Sequence, residues 1–582
     1  MLLVIVGRPE DAEGFVDGHR EEGETRRAQI MSEGRLAYHL PLGGALFGLA
    51  AGDLLLGLNP ELLRFLPAAR LLSVAAASGA FLASPLALLP RARRPSRAGA
   101  AWGAALLAVI GVFVEFQRQA LHDFVPAGAR RILVATALAA FLSAAVLAAR
   151  ALRGGLNAGT LSIPIALFLL APAVGRRAPE RPSPGATTAP RRAPRRNLLV
   201  VGFEGASWDL LTAYASEGAM PVVARLLREG AAGPLVPLSP YDRAALWTTA
   251  ATGKRPLKHG VVSSRRWETP FGTLRLFPVL PGSAVPGGAH PAADAAAARR
   301  SLTFWEILAS RGHEAAVLDW PASSPARDGL VLWASDAFFD GDTAENAALP
   351  AEAAARARLF RVSPDGLDRP LARALVPDGL AAGEARLSPI RGAARDLTVT
   401  GAALAALPGG PRNVSAIVLS GLAEVSSLFG AAGDARYWGL SVPEAEARAA
   451  ALRAYYRFLD DLLGEILERE GRNRTICLFA PVGWGPPATL EAVSRFLRGK
   501  TPAASPDAAR DGFVLFSGAG VRSGVRLTSA NVLDLAPTLL VLAGEPVARD
   551  MDGRVLAEAF DERFTESASV PIVSTFEAAG PQ

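Results

Sequence analysis

The placing of apolar residues divides the chain in two. Over the first third they form five nearly unbroken runs, Leu36–Leu58, Leu71–Pro90, Ala98–Val114, Ile132–Ala149 and Gly154–Gly175. Each is near the roughly 20 residues that cross a hydrocarbon layer. The last four contain no Asp, Glu, Lys or Arg, whereas the first carries His39 and Asp53. Asp53 is expected near a membrane face or against another helix, with an interfacial place favoured. From Asn197 the pattern becomes short apolar segments alternating with amphipathic helical ones, which predicts a mostly parallel sheet covered by helices on both faces. Asn197-Leu-Leu-Val-Val-Gly202 reads as a buried first strand, with Ile417–Ser420 and Ile476–Phe479 as later ones. Between those two, Ser441-Val-Pro-Glu444 has capping-box spacing and predicts a helix to about residue 470. Two stretches rich in Ala, Pro and Arg, Pro281–Arg300 and Ala347–Arg395, are expected to be loops or a cap inserted between sheet elements.

These patterns give five segments: a peripheral or disordered 1–35, a five-helix transmembrane region over 36–175, a linker over 176–196, an α/β domain over 197–563 and a tail over 564–582. With 582 residues the chain is too long for one domain. Only 20% of its residues are charged and its mean hydropathy is +0.24, as follows if part of it lies in lipid. The net charge of +6 resides in the linker, where seven Arg face Glu180. A Pro-rich connector is not a patterned basic face, so nucleic acid is not an expected partner. The bilayer is the expected one, together with a membrane or envelope protein. The short loop with Arg91, Arg93, Arg94 and Arg97 marks a cytoplasmic side, which with five spans puts the N-terminus inside and the α/β domain on the extracytoplasmic side; the basic linker argues for the opposite orientation. Cys477, within an apolar run, reads as a small buried hydrophobe.

Several blocks of the second half resemble one family. Val201-Gly-Phe-Glu-Gly-Ala-Ser-Trp-Asp209, Met220-Pro-Val-Val-Ala-Arg-Leu226, Leu246-Trp-Thr-Thr-Ala-Ala-Thr-Gly-Lys-Arg-Pro-Leu-Lys-His-Gly260 and Asp319-Trp-Pro-Ala322 occur in its order, followed by Tyr455–Asp461, Asp534–Leu540 and Arg549–Arg554. Together they resemble the type I phosphodiesterase/nucleotide pyrophosphatase branch of the alkaline phosphatase superfamily. The resemblance implies an alkaline-phosphatase-like α/β/α sandwich with a mostly parallel sheet, here preceded by an α-helical transmembrane bundle. It also implies two zinc or similar ions held by Asp and His side chains, a Thr or Ser nucleophile at a helix N-terminus, and hydrolysis of phosphate esters.

Carried over position by position, the implied site is altered. The first Asp ligand corresponds to Glu204, and the nucleophile to Arg243, whose guanidinium can neither attack phosphorus nor bind zinc. The next Asp and His fall on Ala423 and Ser427, the following Asp-His on Pro481 and Val482, and the last His at about Ala508. The second half contains only His259, His290 and His313, each expected in a structural or surface role. Asp209, Asp319, Asp460 and Asp461 read as a helix-terminal charge, a strand end and a solvated helix face. The expected protein is therefore a membrane-anchored pseudoenzyme without cofactor that binds or scaffolds. The alternative is a hydrolase with a rewired, single-metal site using Glu204 and Glu424, with zinc or another divalent ion as cofactor. Removing converging carboxylates relieves the repulsion that the lost ions would have offset, and the retained charge of Glu204 is expected to pair with Arg243.

Overall fold

The computed structural model describes residues 39–59, 62, 65–83, 97–125, 127–153, 158–175, 197–239, 241–263, 265–270, 272–276, 278, 290–291, 298–341, 345–380, 383–406, 413–429, 441–470, 474–485, 505–562, 564 and 571–577. The N-terminal segment 1–35, the linker 176–196 and the loop carrying Arg91, Arg93 and Arg94 lie outside them. The chain divides at about residue 180 into a helical unit and an α/β unit.

Five helices occupy the five apolar runs: α1 (His39–Leu58), α2 (Phe65–Ala83), α3 (Arg97–Ala120), α4 (Ala127–Arg153) and α5 (Ala158–Leu170). Two of the segments, Ala100–Ala120 and Gly128–Arg153, are long and apolar enough to cross a membrane; the apolar parts of the other three are shorter. Helix α3 runs past its apolar stretch because Glu115 and Arg118 pair across one turn. Asp53 departs from the interfacial expectation, since its side chain is fully buried inside the helical unit.

The α/β unit is built on a ten-stranded sheet. Strands β1 (Asn197–Phe203), β2 (Gly230–Val236), β3 (Glu314–Trp320), β4 (Leu332–Ser335), β5 (Ala348–Leu349), β6 (Asn413–Leu419), β7 (Arg474–Ala480), β8 (Gly512–Gly518) and β9 (Val525–Arg526) lie in the order β9-β2-β8-β7-β1-β6-β3-β4-β5, and Ala530–Asn531 also pairs with β2. The run β7-β1-β6-β3-β4 is parallel throughout. Strand β1 is at the centre of the whole sheet and buried on both faces, in keeping with its unbroken apolar sequence. The register Gly202↔Phe479 and Phe203↔Leu419 brings the C-terminal ends of β7, β1 and β6 to one level, the edge at which open α/β sheets place ligands.

Helices follow as α6 (Trp208–Ser216), α7 (Pro221–Glu229), α8 (Arg243–Thr252), α9 (Phe304–Ser310), α10 (Glu384–Ala406), α11 (Gly421–Phe429), α12 (Val442–Glu470) and α13 (Leu535–Leu542). Helix α12 starts where the capping-box spacing puts it, with Ser441 Oγ accepting from the Glu444 N–H. Three expectations change. The stretch 347–395 is helical over Ala351–Arg358, Arg369–Leu375 and the first half of α10, because its Ala-rich composition favours helix wherever Ala faces find a partner. Part of the expected tail joins the fold: Ile572–Val573 pairs in parallel with Val547–Ala548, and Glu577 accepts twice from the buried Lys254 Nζ, at 2.8 Å each. Asp460 does not face solvent. Its carboxylate is buried and accepts from the Val222 and Val223 N–H groups at 2.9 and 2.8 Å, capping α7, whose own N-cap residue Met220 offers no side-chain acceptor.

Candidate functional site

Helix α8 begins at Arg243 and is buried along its whole length from Ala244 to Thr252, so its position is fixed by packing on every side. Trp247 anchors it from below. The indole lies so close to β1 that a Cβ on Gly202 would come within 2.8 Å of it, and it stacks edge-on with Trp320 and Phe479. Asp242 caps the helix, accepting from the Ala245 N–H at 3.0 Å. A cation at a helix N-terminus meets the wrong end of the dipole. At Arg243 that cost is offset by Glu204, just beyond β1: Nε donates to Oε1 at 2.6 Å and one terminal nitrogen to Oε2 at 2.8 Å. The expected pair is thus present and bidentate. The Glu204 side chain is 4% exposed and that of Arg243 40%, so the carboxylate is buried and the guanidinium lies at the mouth.

The other positions gather around this pair unevenly. Gly205, at φ 94°, lies against Ala423, and a Cβ there would sit 2.6 Å from the Ala423 Cα. Glu204 follows the last residue of β1 and Pro481 the last residue of β7, at the ends of two paired strands, and Val482 is buried. Ser427 lies one turn beyond Ala423 and donates to the Glu424 carbonyl of its own helix. Ala508 belongs to the strand Ser505–Arg510, which pairs with Gly483–Gly485 next to Pro481; its side chain lies outside the described ones. Glu424 is engaged by Arg391 at 3.5 Å and by the Ser388 hydroxyl at 3.1 Å.

A second guanidinium–carboxylate pair sits beside the first, and sequence reasoning missed it. Asp319 takes φ 55° at an irregularity in the β3–β4 pairing, a conformation most side chains avoid, and the irregularity re-aims its carboxylate. That carboxylate accepts from Arg395 Nε at 2.9 Å, from a terminal Arg395 nitrogen at 2.6 Å and from Ser420 Oγ at 2.8 Å. Arg395 also reaches Asp340, and Asp336 lies 3.9 Å from Arg243. Next to it, Asp396 accepts from the Gly421 N–H at 3.0 Å and from the Tyr455 hydroxyl at 2.8 Å. Burial pushes the Asp319 carboxyl up to about 6, against the pull of Arg395, and that of Asp396 up to about 7, against its two donors. Burial opposes the charged forms of Arg243 and Arg395, yet Glu204 and Asp319 raise both above the ordinary arginine value. Asp319 alone was visible as a strand end. Arg395 and Asp396 had no signal beyond being two charges inside an Ala-rich stretch.

His259 and His313 are buried within the α/β unit. His259 is buried, accepts from the Val261 N–H at Nδ1 and meets Thr249 Oγ1 at 3.0 Å through Nε2; burial lowers it to about 3. His313 lies 3.1 Å from Glu545. His290 lies in a two-residue strand, its side chain outside the described ones. Cys477 is buried in β7. Among the described residues no three His, Cys, Asp or Glu side chains converge as a metal would need.

Residues 198–493, just over half of the chain and beginning with β1, match the family model for type I phosphodiesterase / nucleotide pyrophosphatase. The chain belongs to this family. No curated protein matches the chain. Among solved structures it is similar to a putative sulfatase from Bacteroides thetaiotaomicron (14% identity, 62% of this chain and 74% of that one, TM-score 0.37). It is also similar to wild-type alkaline phosphatase PafA (11%, 64% and 100%, TM-score 0.41) and to murine ectonucleotide pyrophosphatase / phosphodiesterase 5 (10%, 63% and 100%, TM-score 0.35). The two ions that the family resemblance implies do not suit the donors at the corresponding positions. Ala423, Pro481 and Val482 have no ligating atom, Ser427 turns to its own helix, and both oxygens of Glu204 are taken by Arg243.

Proposed function

We propose that the α/β unit is a non-catalytic phosphodiesterase-family domain, held at a cell membrane by the N-terminal helices and acting as a binding or scaffolding module. The observation that carries this reading is the Arg243–Glu204 pair. A guanidinium stands at the position that corresponds to the nucleophile and takes up the carboxylate retained at a corresponding ligand position, so charge balance there is met by the protein itself. The alternative single-metal hydrolase would have to free Glu204 from Arg243 and Glu424 from Arg391. Metal analysis of the purified full chain, with assays on generic phosphodiesters and phosphomonoesters, tests the reading. Stoichiometric zinc with chelator-sensitive hydrolysis overturns it.

Membrane attachment is supported by the two long apolar helices and by the apolar side chains they turn outward. Trp102, Val109 and Val112 on α3 are 77%, 63% and 62% exposed, an arrangement that costs free energy in water and none in lipid. In the proposed arrangement all five helices span, the α/β unit lies outside the cytoplasm, and a membrane or envelope protein is its partner. Reporter fusions after Arg94 and after Arg196 should then give opposite sidedness; the same sidedness at both rules out five spans.

A further inference from the structure

Asp53 is the acidic residue of α1, and nothing in the preceding reading uses it. It has no solvent exposure, and both its carboxylate oxygens are buried without a hydrogen-bond partner. Apolar residues flank it on α1. Leu49 and Leu56, close to it on α1, are buried, and one turn on, Gly57 meets α4 so closely that a Cβ there would lie 2.5 Å from Leu133 Cδ2. Among the described residues, no charged side chain of the helices packed against α1 pairs with it. Glu115 and Arg118 of α3 pair with each other. Arg70 of α2 and Arg130, Arg131, Arg150 and Arg153 of α4 form no ion pair with Asp53, and α5 carries no charge. The other buried polar side chains described in the helical unit, Asn59, Gln117, Thr136 and Ser143, are uncharged; Thr136 donates within its own helix, and Ser143 Oγ is likewise buried without a partner.

Among the described residues such a carboxylate has neither the cation nor the donor that burial of charge demands. One proton is the smallest ligand that removes the charge, and a carboxyl that carries it has far less to satisfy. We propose that Asp53 is a proton-binding site of the helical unit, holding its proton at neutral pH and releasing it only when α1 separates from the helices around it. Ionisation and helix packing are then coupled: loss of the proton loosens the unit, and close packing retains the proton. This follows from burial and the missing partners and is independent of the membrane reading.

Infrared difference spectroscopy of the full chain in lipid nanodiscs, wild type against Asp53→Asn, tests it at neutral pH. The wild type should show a carboxylic-acid carbonyl band that the variant lacks and that gives way to a carboxylate band only at alkaline pH. A difference spectrum containing a carboxylate band alone at neutral pH overturns the proposal. A second measurement needs no variant: a hydrophobic carbodiimide, which adds to protonated carboxyls, should modify Asp53 of the wild type at neutral pH and several-fold less as the pH is raised. With the peptide covered in the digest and labelled in unfolded chain at low pH, no adduct at Asp53 in the native protein counts against the proposal equally.

Discussion

Removing the guanidinium from the altered site leaves a carboxylate with nothing to answer it. In Arg243→Ala, Glu204, 4% exposed in the native protein, loses both of its bidentate hydrogen bonds. Breaking a fully buried pair from one side costs about 3–5 kcal/mol, whereas an exposed pair is worth about 0–1 kcal/mol. Arg243 itself is 40% exposed, so water can enter the space it leaves and partly hydrate Glu204. We therefore expect a loss of about 2–3 kcal/mol, between the two limits. Denaturant titration of the full chain, read by tryptophan fluorescence, measures it, because the buried cluster of Trp247, Trp305, Trp320 and Trp333 lies in the α/β unit and adjoins α8. Adding Glu204→Gln removes the stranded charge and should recover about 1–2 kcal/mol of the loss. A single-variant loss under about 0.5 kcal/mol, or a double variant no more stable than Arg243→Ala, refutes the reasoning.

Three further outcomes are expected. A chelator should leave the thermal midpoint of the α/β unit unchanged, since an ion that does not bind the native state cannot stabilise it; a fall restored by zinc would contradict this. Asp319 and Asp396 are raised from 3.8 to about 6 and about 7, so both bind a proton more tightly when folded; their contribution is full below pH 3.8 and is lost as pH rises through 6 and 7. The thermal midpoint should accordingly fall over that range, and Asp396→Asn should flatten the part nearest 7; an unchanged slope contradicts the assignment. Asp460→Ala should cost about 1–2 kcal/mol by uncapping α7, while Asp461→Ala, at an exposed neighbouring position, should stay within about 0.5 kcal/mol in the same titration.

The sequence by itself determined the elements whose pattern is local. A short apolar segment such as Asn197–Phe203, rich in Val and Leu, reads as a buried strand, and five long apolar runs as five helices, because backbone hydrogen bonding and burial act residue by residue along the chain. Motif blocks in family order fixed the fold, and opposite charges left at two neighbouring site positions were enough to foresee the Glu204–Arg243 pair. What only the tertiary structure decided is where a charged side chain finds its partner. Arg395 reaches Asp319 across 76 positions, out of a stretch whose composition suggested loops or an inserted cap. Asp460 caps a helix that starts 239 positions earlier, and the periodicity of α12 does not say which of its faces will meet that helix. Asp53 reads as interfacial from its place in an apolar run, yet it lies inside the helical unit because packing with α2 and α4 decides which face of α1 is interior. Polar and charged residues tolerate many environments in the unfolded chain, so their sequence neighbours constrain them little; the cost of burying them is settled only when the fold supplies, or withholds, a counterpart.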